Sequence, residues 1–409
     1  MSDVSSRISA YGAILRTPGV LVPAAGTVLS SLPIGMLGLA LLLHVRAGSG
    51  GFATAGMVVA VFGVGTGLGI ASQGRLIDRS GPKRVLLVAA VCQSTALALI
   101  VVLPGVASAP WQIGALAFVA GLAEPQTGGA LRSMWPALVG PEHRAAASAL
   151  SSILFELAVV TGPLLLTALL QVATARVCLL VAAGLSAVGT TMVARSRAAL
   201  AWHAVGDCGR SVLGPLAVPR MRVIAGVVAA QGMAVGLLQV SCAAVLTKHS
   251  WPGGTGLLYS FLSLGSLAGT TVYGVWSRPT AHWWQLPLLL LALSGALTGA
   301  AFAPGIVLLC GWVLVAGLLV GPVSVRCFID AERETPPGSL AAAATTLTAT
   351  GLAATSSGTA MAGKLTDVAG TTAALMTAAA CTFVAAFAMT IGVRVRKFRT
   401  RTAIQSDSG

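Results

Sequence analysis

The sequence predicts an all-α integral membrane protein with twelve transmembrane helices in two pseudo-symmetric six-helix halves. Three observations support this prediction: a scarcity of charge, a series of long apolar segments and an internal repeat. Only 9% of the 409 residues are charged and 56% are hydrophobic, and the mean hydropathy is +0.89. Soluble domains carry about 25% charged residues. The composition therefore excludes an ordinary cytosolic enzyme, a nucleic-acid-binding domain and a disordered protein.

Twelve apolar segments are long enough to cross a bilayer, where a spanning helix needs about 20 apolar residues. Glycine and proline occur inside several of them, which neighbouring helices tolerate within a membrane. No short apolar region with a small-residue cleavage site precedes the first segment, so we expect that segment to act as the insertion signal. In order, the spans are predicted at residues 21–44, 52–73, 85–104, 111–132, 146–170, 175–194, 223–246, 255–276, 284–303, 306–326, 340–362 and 371–393.

A polar stretch from Arg195 to Arg222 separates the first six spans from the last six. We take this stretch as a linker between two halves of the molecule. The predicted organisation is an N-terminal half over residues 1–194, a cytoplasmic linker over 195–222, a C-terminal half over 223–393 and a basic cytoplasmic tail over 394–409.

The two halves repeat each other at a shift of about 200 positions. At a shift of 200, Gly56, Gly65, Gly69 and Gly74 fall on Gly256, Gly265, Gly269 and Gly274. At a shift of 196, Pro141, Ala145 and Gly162 fall on Pro337, Ala341 and Gly358. The second span thus pairs with the eighth and the fifth with the eleventh. Parallel repeats of this kind occur in many secondary transporters.

The positive charges predict the orientation of the chain in the membrane. If both termini are cytoplasmic, all but four of the 25 Lys and Arg residues lie in cytoplasmic loops or at cytoplasmic helix ends. This bias follows the positive-inside rule and also accounts for the net charge of +14. We therefore expect a multi-pass protein of the cell inner (plasma) membrane that contacts the lipid bilayer and not nucleic acid. The four exceptions are Arg46, Arg176, Lys248 and Lys364.

A specific motif lies at the cytoplasmic end of the second span. It reads Gly74-Arg-Leu-Ile-Asp78-Arg79-Ser-Gly81-Pro-Lys83-Arg84-Val-Leu86. This loop resembles the signature between helices two and three of the major facilitator superfamily. Pro82 departs from the arginine of that signature, and the matching residues are Gly74, Asp78, Arg79, Gly81, Lys83 and Leu86. The resemblance covers essentially the whole chain and implies the superfamily's fold.

The resemblance also implies a gate on the cytoplasmic side. In the family, the acid at the position of Asp78 interacts with the start of helix eleven and with a base of helix four, which here would be Arg132. Such a pairing would latch the halves in the outward-facing state, while Gly74 would let a helix approach and Gly81 would permit a tight turn. A simple topogenic charge cluster is the alternative. The second copy of the loop, ending at Arg278, lacks the acid.

The fifth span contains Gly162 followed by Pro163. This pair resembles the antiporter motif found in helix five of exporters of the superfamily. The match is partial, because Ala149 and Ala158 stand where that motif has glycines. The resemblance favours a drug/proton antiporter, and a proline kink in a packed helix is the alternative.

Two acids, Glu124 and Glu156, lie deep in predicted spans. A charged group in mid-bilayer costs roughly 2.5–3.5 kcal/mol on insertion scales. Loss of hydration penalises the ionised form of a carboxyl group, which suits such a group to reversible protonation. Both are therefore candidate proton-coupling residues, and the alternative is that either one is a neutral, hydrogen-bonded packing residue.

Gln231 and Gln239 in the seventh span are eight residues apart and so lie roughly on one helix face. They are candidates for the cavity lining of the second half, and a helix–helix hydrogen bond is the alternative. The seven cysteines show no pairing or ligand pattern, so we expect neither disulfides nor a metal site, and we expect no cofactor.

These features together favour proton-coupled efflux of a small organic molecule, an antibiotic or a secondary metabolite, by alternating access in a functional monomer. The partners would be the substrate, protons and the bilayer. A proton-coupled importer of a small metabolite is the alternative transporter. From another class, an integral-membrane enzyme lacks support because no HExxH or GxSxG motif is present. A non-transporting sensor is disfavoured by Asp78 and the two buried acids.

Overall fold

The structure is a computed structural model of the chain. It describes Ile14 and residues 16–49, 51–103, 110–140, 144–200, 218–248, 254–276, 284–334 and 340–406. Within these segments some side chains lie outside the description, among them those of Asp78, Glu156 and residues 391–406.

The described segments are almost entirely helical, which confirms the all-α fold class. The first half contains α1 (Leu21–Ser49), α2 (Phe52–Ser80), α3 (Pro82–Val102), α4 (Pro110–Leu122), α5 (Thr127–Leu138), α6 (Arg144–Val172), α7 (Ala175–Ala194) and the short α8 (Arg197–Leu200). The second half contains α9 (Pro219–Lys248), α10 (Thr255–Trp276), α11 (Gln285–Ala301), α12 (Ile306–Glu334), α13 (Leu340–Val368) and α14 (Gly370–Ser406).

Several helices continue past the apolar segments that predict them. The tenth span was expected to end at residue 326, whereas α12 runs on to Glu334. The last span was expected to end at residue 393, whereas α14 continues through the basic tail to Ser406. Hydropathy detects only the part of a helix that lies in hydrocarbon, and arginine, lysine and glutamate are good helix formers in water.

The fourth span differs from the prediction in a way that matters for the site. The sequence predicts one helix over residues 111–132, but the structure contains two shorter helices, α4 and α5, in its place. The interruption contains Pro125, which has no N–H to donate and whose ring clashes with the preceding turn. The prediction of a continuous fourth helix was therefore wrong.

Seven helices of the described segments are long and apolar enough to cross a membrane, and α11 and the second part of α6 are shorter apolar helices. Large apolar side chains are exposed on their outer faces, such as Val102 at 77% and Val307 at 87%. Exposed apolar surface on this scale marks a lipid or partner interface. The seven are α1, α2, α3, α7, α9, α12 and α14.

The helices form two compact units. One unit contains α1 to α8 and the first six residues of α10, and the other contains α9, the remainder of α10 and α11 to α14. In the first unit, Trp135 of α5 is 2% exposed and packs with Leu86 and Leu131. Its indole N–H donates to Ser151 Oγ of α6 at 2.8 Å. In the second unit, a separate core includes Val323 of α12.

Equivalent glycines pack equivalent helices in the two units. A Cβ on Gly69 of α2 would lie 2.6 Å from the carbonyl oxygen of Leu122 in α4. A Cβ on Gly269 of α10 would overlap the carbonyl oxygen of Leu318 in α12. These residues correspond at the shifts of 200 and 196 that the sequence shows. The repeat is thus present in the packing of each unit, where small residues let two backbones approach.

Candidate functional site

The fourth span is interrupted between Leu122, where α4 ends, and Thr127, where α5 begins. Pro125 lies in the interruption. The N–H of Glu124 donates to the carbonyl of Gly121 at 3.0 Å, which closes the last turn of α4. A broken helix is tolerated inside a membrane protein only where the freed backbone groups find partners. The backbone groups that this interruption frees therefore need hydrogen-bond partners.

Glu124 occupies the interruption and is only 6% exposed. The hydroxyl of Thr66 in α2 donates to its Oε2 at 2.8 Å. The two ion pairs seen in the described part of the chain both lie in the second half, and neither includes Glu124. The site thus contains a buried carboxyl group whose contact is a hydroxyl and not a cation.

Gln73 of α2 satisfies the backbone of the interruption and is itself 5% exposed. Its Nε2 donates to the carbonyl of Leu122 at 2.9 Å and to that of Glu124 at 2.9 Å. Its Oε1 accepts from the N–H of Gln126 at 3.3 Å. One amide side chain therefore serves both the end of α4 and the start of α5, where helix termini leave backbone groups unpaired.

A further contact joins the interruption to α1. The hydroxyls of Ser30 and Thr127 lie 2.6 Å apart, and both residues are buried. Thr127 is the first residue of α5, so this contact fixes the beginning of the second half-helix. Three helices, α1, α2 and the broken fourth span, thus meet at the interruption.

The corresponding place in the second unit has a different construction. Val320 takes the position of the glutamate, and α12 continues through Pro322 without a break. Gln231 of α9 donates to the carbonyl of Val320 at 2.8 Å and to Ser324 Oγ at 2.9 Å. Tyr273 occupies the position of Gln73, and its hydroxyl donates to a side chain of α11. At the equivalent position of the described second half there is thus neither an acid nor an interruption of the helix.

The two glutamines predicted to line a cavity differ in environment. Gln231 is 6% exposed, and its bonds to Val320 and Ser324 are the helix–helix contacts that the sequence analysis gave as the alternative. Gln239 is half-buried on the same helix. Gln231 is therefore engaged in packing α9 against α12.

The cytoplasmic motif has one feature that the structure explains directly. Gly81 separates α2 from α3 with φ of 81° and ψ of 154°, which is a conformation that only glycine adopts easily. Pro82 then begins α3, where its missing N–H costs nothing. Gly74 is exposed, and a Cβ there would meet no described atom within 4 Å. The helix approach expected at Gly74 therefore stays a prediction.

The structure describes the side chains of some charged candidates and not of others. Arg79, Lys83 and Arg132 are exposed. The side chains of Asp78 and Glu156 lie outside the described part of the structure, although both residues belong to helices. The latch between Asp78 and Arg132 and the role of Glu156 therefore stay predictions.

The glycine and proline of the fifth span lie in α6. Gly162 packs against α1, where a Cβ would lie 2.5 Å from the carbonyl oxygen of Leu32. Pro163 is inside the helix, which is not interrupted there. The carbonyl of Pro163 accepts a hydrogen bond from the hydroxyl of Thr167 at 2.8 Å. The pair thus brings α6 close to α1 in the first unit.

Sequence analysis missed four polar residues that the structure brings into contact. Thr66 and Gln73 lie seven residues apart on α2, on the face that carries Gly69, and that glycine-bearing face was the available signal. Arg326 and Asp330 of α12 form an ion pair with 2.7 Å between Nη2 and Oδ1. Their spacing of four residues, which places side chains on one helix face, was also visible in the sequence.

Two similarly packed helical halves, with a buried acid at a broken membrane helix, are features of secondary transporters. The profile of the Major Facilitator Superfamily matches residues 24–353 of the chain. The chain therefore belongs to the Major Facilitator Superfamily.

Solved transporter structures share the fold over nearly the whole chain. A bacterial homolog of the human lysosomal transporter Spinster, in an inward-facing and occupied conformation, has 12% identity and a TM-score of 0.70 over 91% of this chain and 96% of its own. The nucleoside transporter NupG has 15% identity and a TM-score of 0.69 over 90% and 98%. The human organic anion transporter MFSD10 has 17% identity and a TM-score of 0.61 over 91% and 98%. No curated protein matches the chain significantly.

Proposed function

We propose that this transporter is a proton-coupled exporter of a small organic molecule, and that Glu124 is the residue that carries the proton. The observation that supports the proposal is the burial of this carboxyl group at the interruption of the fourth span, against the hydroxyl of Thr66. An ionised group costs free energy at that depth unless it is paired or neutralised. Binding a proton neutralises Glu124 without any other partner.

The surroundings of Glu124 favour a proton over a metal cation. Cations at broken membrane helices are coordinated by unwound backbone carbonyls. Here the carbonyls of Leu122 and Glu124 already accept hydrogen bonds from Gln73. The second of them also accepts from Nε2 of Gln126 at 3.1 Å. A carboxylate and one hydroxyl are too few ligands for sodium, but they suit a proton.

The transport cycle follows from the two forms of the carboxyl group. In its ionised form Glu124 accepts the hydrogen bond of Thr66. In its protonated form the carboxyl group is neutral and no longer needs the hydrogen bond from Thr66. Burying it then costs less free energy while the two halves change between outward and inward access. Proton uptake from the outside and release to the cytoplasm would then drive an organic substrate outward. The partial antiporter motif at Gly162 and Pro163 supports this direction.

The remaining parts of the proposal come from the sequence. The protein would work as a monomer in the plasma membrane with both termini in the cytoplasm, and its substrate would be an antibiotic or a secondary metabolite. Glu156 is the second candidate for the proton site. Asp78 and Arg132 would form the cytoplasmic gate. Asp78→Asn should then slow transport, and adding Arg132→Gln should cause no further loss, because residues that act as one unit are not additive.

The first experiment is a susceptibility panel in a host without its own efflux pumps. Wild type, Glu124→Gln and Glu156→Gln are expressed at matched membrane levels and exposed to many antibiotics and metabolites. Glu334→Gln is the control, because that carboxyl lies at the end of α12 and pairs with Arg220. Export predicts protection by wild type and by the control, and loss of protection in Glu124→Gln. Increased sensitivity to a compound would instead indicate the importer.

Reconstituted vesicles then test proton coupling with a substrate found in the panel. Glu124→Gln should abolish accumulation driven by a pH gradient while leaving substrate exchange without a gradient intact. If Glu124→Gln retains gradient-driven transport and Glu156→Gln loses it, the proton site is Glu156. If both retain it, neither carboxyl couples protons and the proposal fails.

A further inference from the structure

We propose that Gln73 is the positioning residue of the proton site: its amide closes the interruption of the fourth span and thereby holds the Glu124 carboxyl against Thr66. This inference rests on the proposed function of Glu124. It concerns a side chain that touches neither substrate nor proton and that acts through the backbone beside the carboxyl.

The geometry at Gln73 is that of a complete hydrogen-bonded cap. Its Nε2 donates both hydrogens, to the carbonyls of Leu122 and Glu124, and its Oε1 accepts from the N–H of Gln126. A primary amide is the side chain that offers two donors on one atom and an acceptor on the other. Gln73 itself is 5% exposed, and its bond to the carbonyl of Glu124 is buried.

The prolines of the chain show why such a cap is needed. Pro163 and Pro322 lie inside α6 and α12, and both helices continue past them. A proline alone therefore does not interrupt a helix in this protein. The fourth span is interrupted at Pro125, where Gln73 supplies partners for the freed backbone groups. In the second half, where Tyr273 replaces the glutamine, the equivalent helix is continuous.

Both side chains that contact the site come from the same face of α2. Thr66 and Gln73 are seven residues apart, which is close to two helical turns. One contacts the carboxyl group of Glu124 and the other contacts its main-chain carbonyl. The backbone contact fixes where the carboxyl can lie, and α2 fixes the distance between the two contacts. Removing the amide should therefore loosen the bond between Thr66 and the carboxyl.

Gln73 is also the residue before Gly74, with which the cytoplasmic motif begins. The same uninterrupted helix, α2, ends at Ser80. Gln73 and the first residues of the cytoplasmic motif therefore belong to one continuous helix.

The test compares Gln73→Leu with Gln93→Leu, both of which remove a buried glutamine from the first unit. Gln93 of α3 is 1% exposed and accepts a hydrogen bond from Ser186 at 2.6 Å, away from the interruption. The first measurement is amide hydrogen exchange of the full-length protein in nanodiscs, over peptides covering residues 121–130. Exchange there should be at least roughly tenfold faster in Gln73→Leu, because the change removes all three hydrogen bonds of the amide, and unchanged in Gln93→Leu.

The second measurement is the pH dependence of transport in vesicles. When Gln73 no longer holds the Glu124 carboxylate in place, the carboxylate loses the hydrogen bond from Thr66 that stabilises its ionised form. The midpoint of the pH profile of transport should therefore rise by about one unit. Gln93→Leu should keep the midpoint of wild type. Gln73→Glu provides a second variant, because its introduced carboxyl donates a bond only when protonated. The exchange rate of residues 121–130 in Gln73→Glu is compared with that of wild type at each pH. The difference between the two rates should therefore shrink as the pH falls.

Unchanged exchange at residues 121–130 in both variants of Gln73 would overturn the inference. Faster exchange with an unchanged pH midpoint would also overturn it, since Gln73 would then only support the fold. Failure of the proposed function is a separate result, because it appears as gradient-driven transport that survives Glu124→Gln. The exchange measurement needs no transport and so distinguishes the two.

Discussion

The hydroxyl of Thr66 lies 2.8 Å from Oε2 of Glu124 and 3.3 Å from the carbonyl oxygen of Phe62 in its own helix. A hydroxyl has one hydrogen to donate, so it serves one acceptor well at a time. An ionised carboxylate is the stronger acceptor. When the carboxyl is protonated, the helix carbonyl becomes the competing partner. The hydrogen bond between Thr66 and Glu124 therefore depends on the charge of Glu124.

Thr66→Val should raise the midpoint pH of the transport profile. The change keeps the shape of the side chain and removes the donor to the carboxylate, so the protonated carboxyl persists to higher pH. A hydrogen bond to a charged group contributes about 1.5–3 kcal/mol, which corresponds to a rise of about one to two pH units in the midpoint. Vesicle uptake measured across a pH series checks the shift.

Two further variants control this prediction. Thr66→Ser keeps the hydroxyl and should restore the midpoint of wild type. Thr247→Val removes a hydroxyl that donates to a carbonyl of its own helix, that of Ala243, and should leave the midpoint unchanged. A midpoint that does not move in Thr66→Val would mean that this hydroxyl does not stabilise the ionised form.

Gly69→Ala should destabilise the protein, whereas Gly74→Ala should not. The added methyl at Gly69 would lie 2.6 Å from the carbonyl oxygen of Leu122 and force α2 away from α4. Overpacking of this kind costs about 1–3 kcal/mol. The methyl at Gly74 meets no described atom within 4 Å. Thermal unfolding of the two purified variants in one detergent checks the difference, and equal midpoints would contradict the packing described for α2.

Much of the fold is readable from the sequence because hydrocarbon demands long apolar helices. The sixth and eighth spans were predicted to begin and end where α7 and α10 do. Helix ends in water, such as the end of α12 at Glu334, were missed because hydropathy does not report on them. The repeat was visible because close backbone approach requires glycine, as at Gly69 and Gly269.

The site was predicted only in part, because it depends on partners from another helix. Glu124 was recognised as a buried acid from its position in an apolar span. The interruption beside it was not predicted, because Pro125 lies in an apolar span just as Pro163 and Pro322 do. Those two prolines leave their helices intact. What differs is the side chain of Gln73 on α2, and no local pattern in the fourth span shows it.

Gly81→Ala should destabilise the connection between α2 and α3. The backbone at Gly81, with φ of 81° and ψ of 154°, lies in a region that costs other residues about 1–3 kcal/mol. Gly38→Ala is the matched control, because Gly38 is inside α1 and a Cβ there meets no described atom. Alanine is about 1 kcal/mol better than glycine inside a helix, so the control should raise the unfolding midpoint while Gly81→Ala lowers it.

The two ion pairs of the second half should differ in what they contribute to stability. In the pair within α12 the side chain of Arg326 is 9% exposed and that of Asp330 is 23% exposed. Removing one partner of a buried pair leaves an uncompensated charge and costs about 3–5 kcal/mol. Asp330→Asn should therefore lower the unfolding midpoint strongly. In the double variant, Arg326→Met with Asp330→Asn, much of that loss should be recovered, because neither charge remains.

The pair between α9 and α12 provides the comparison. The side chain of Arg220 is 47% exposed and that of Glu334 is 26% exposed, and exposed pairs contribute about 0–1 kcal/mol. Arg220→Gln should thus change the unfolding midpoint little. A double-mutant cycle on each pair gives its coupling energy. Thermal unfolding at low and high salt provides the data, and the coupling energies of the buried and the exposed pair are then compared. Equal coupling energies in the two cycles would show that burial does not set the contribution of the Arg326 pair.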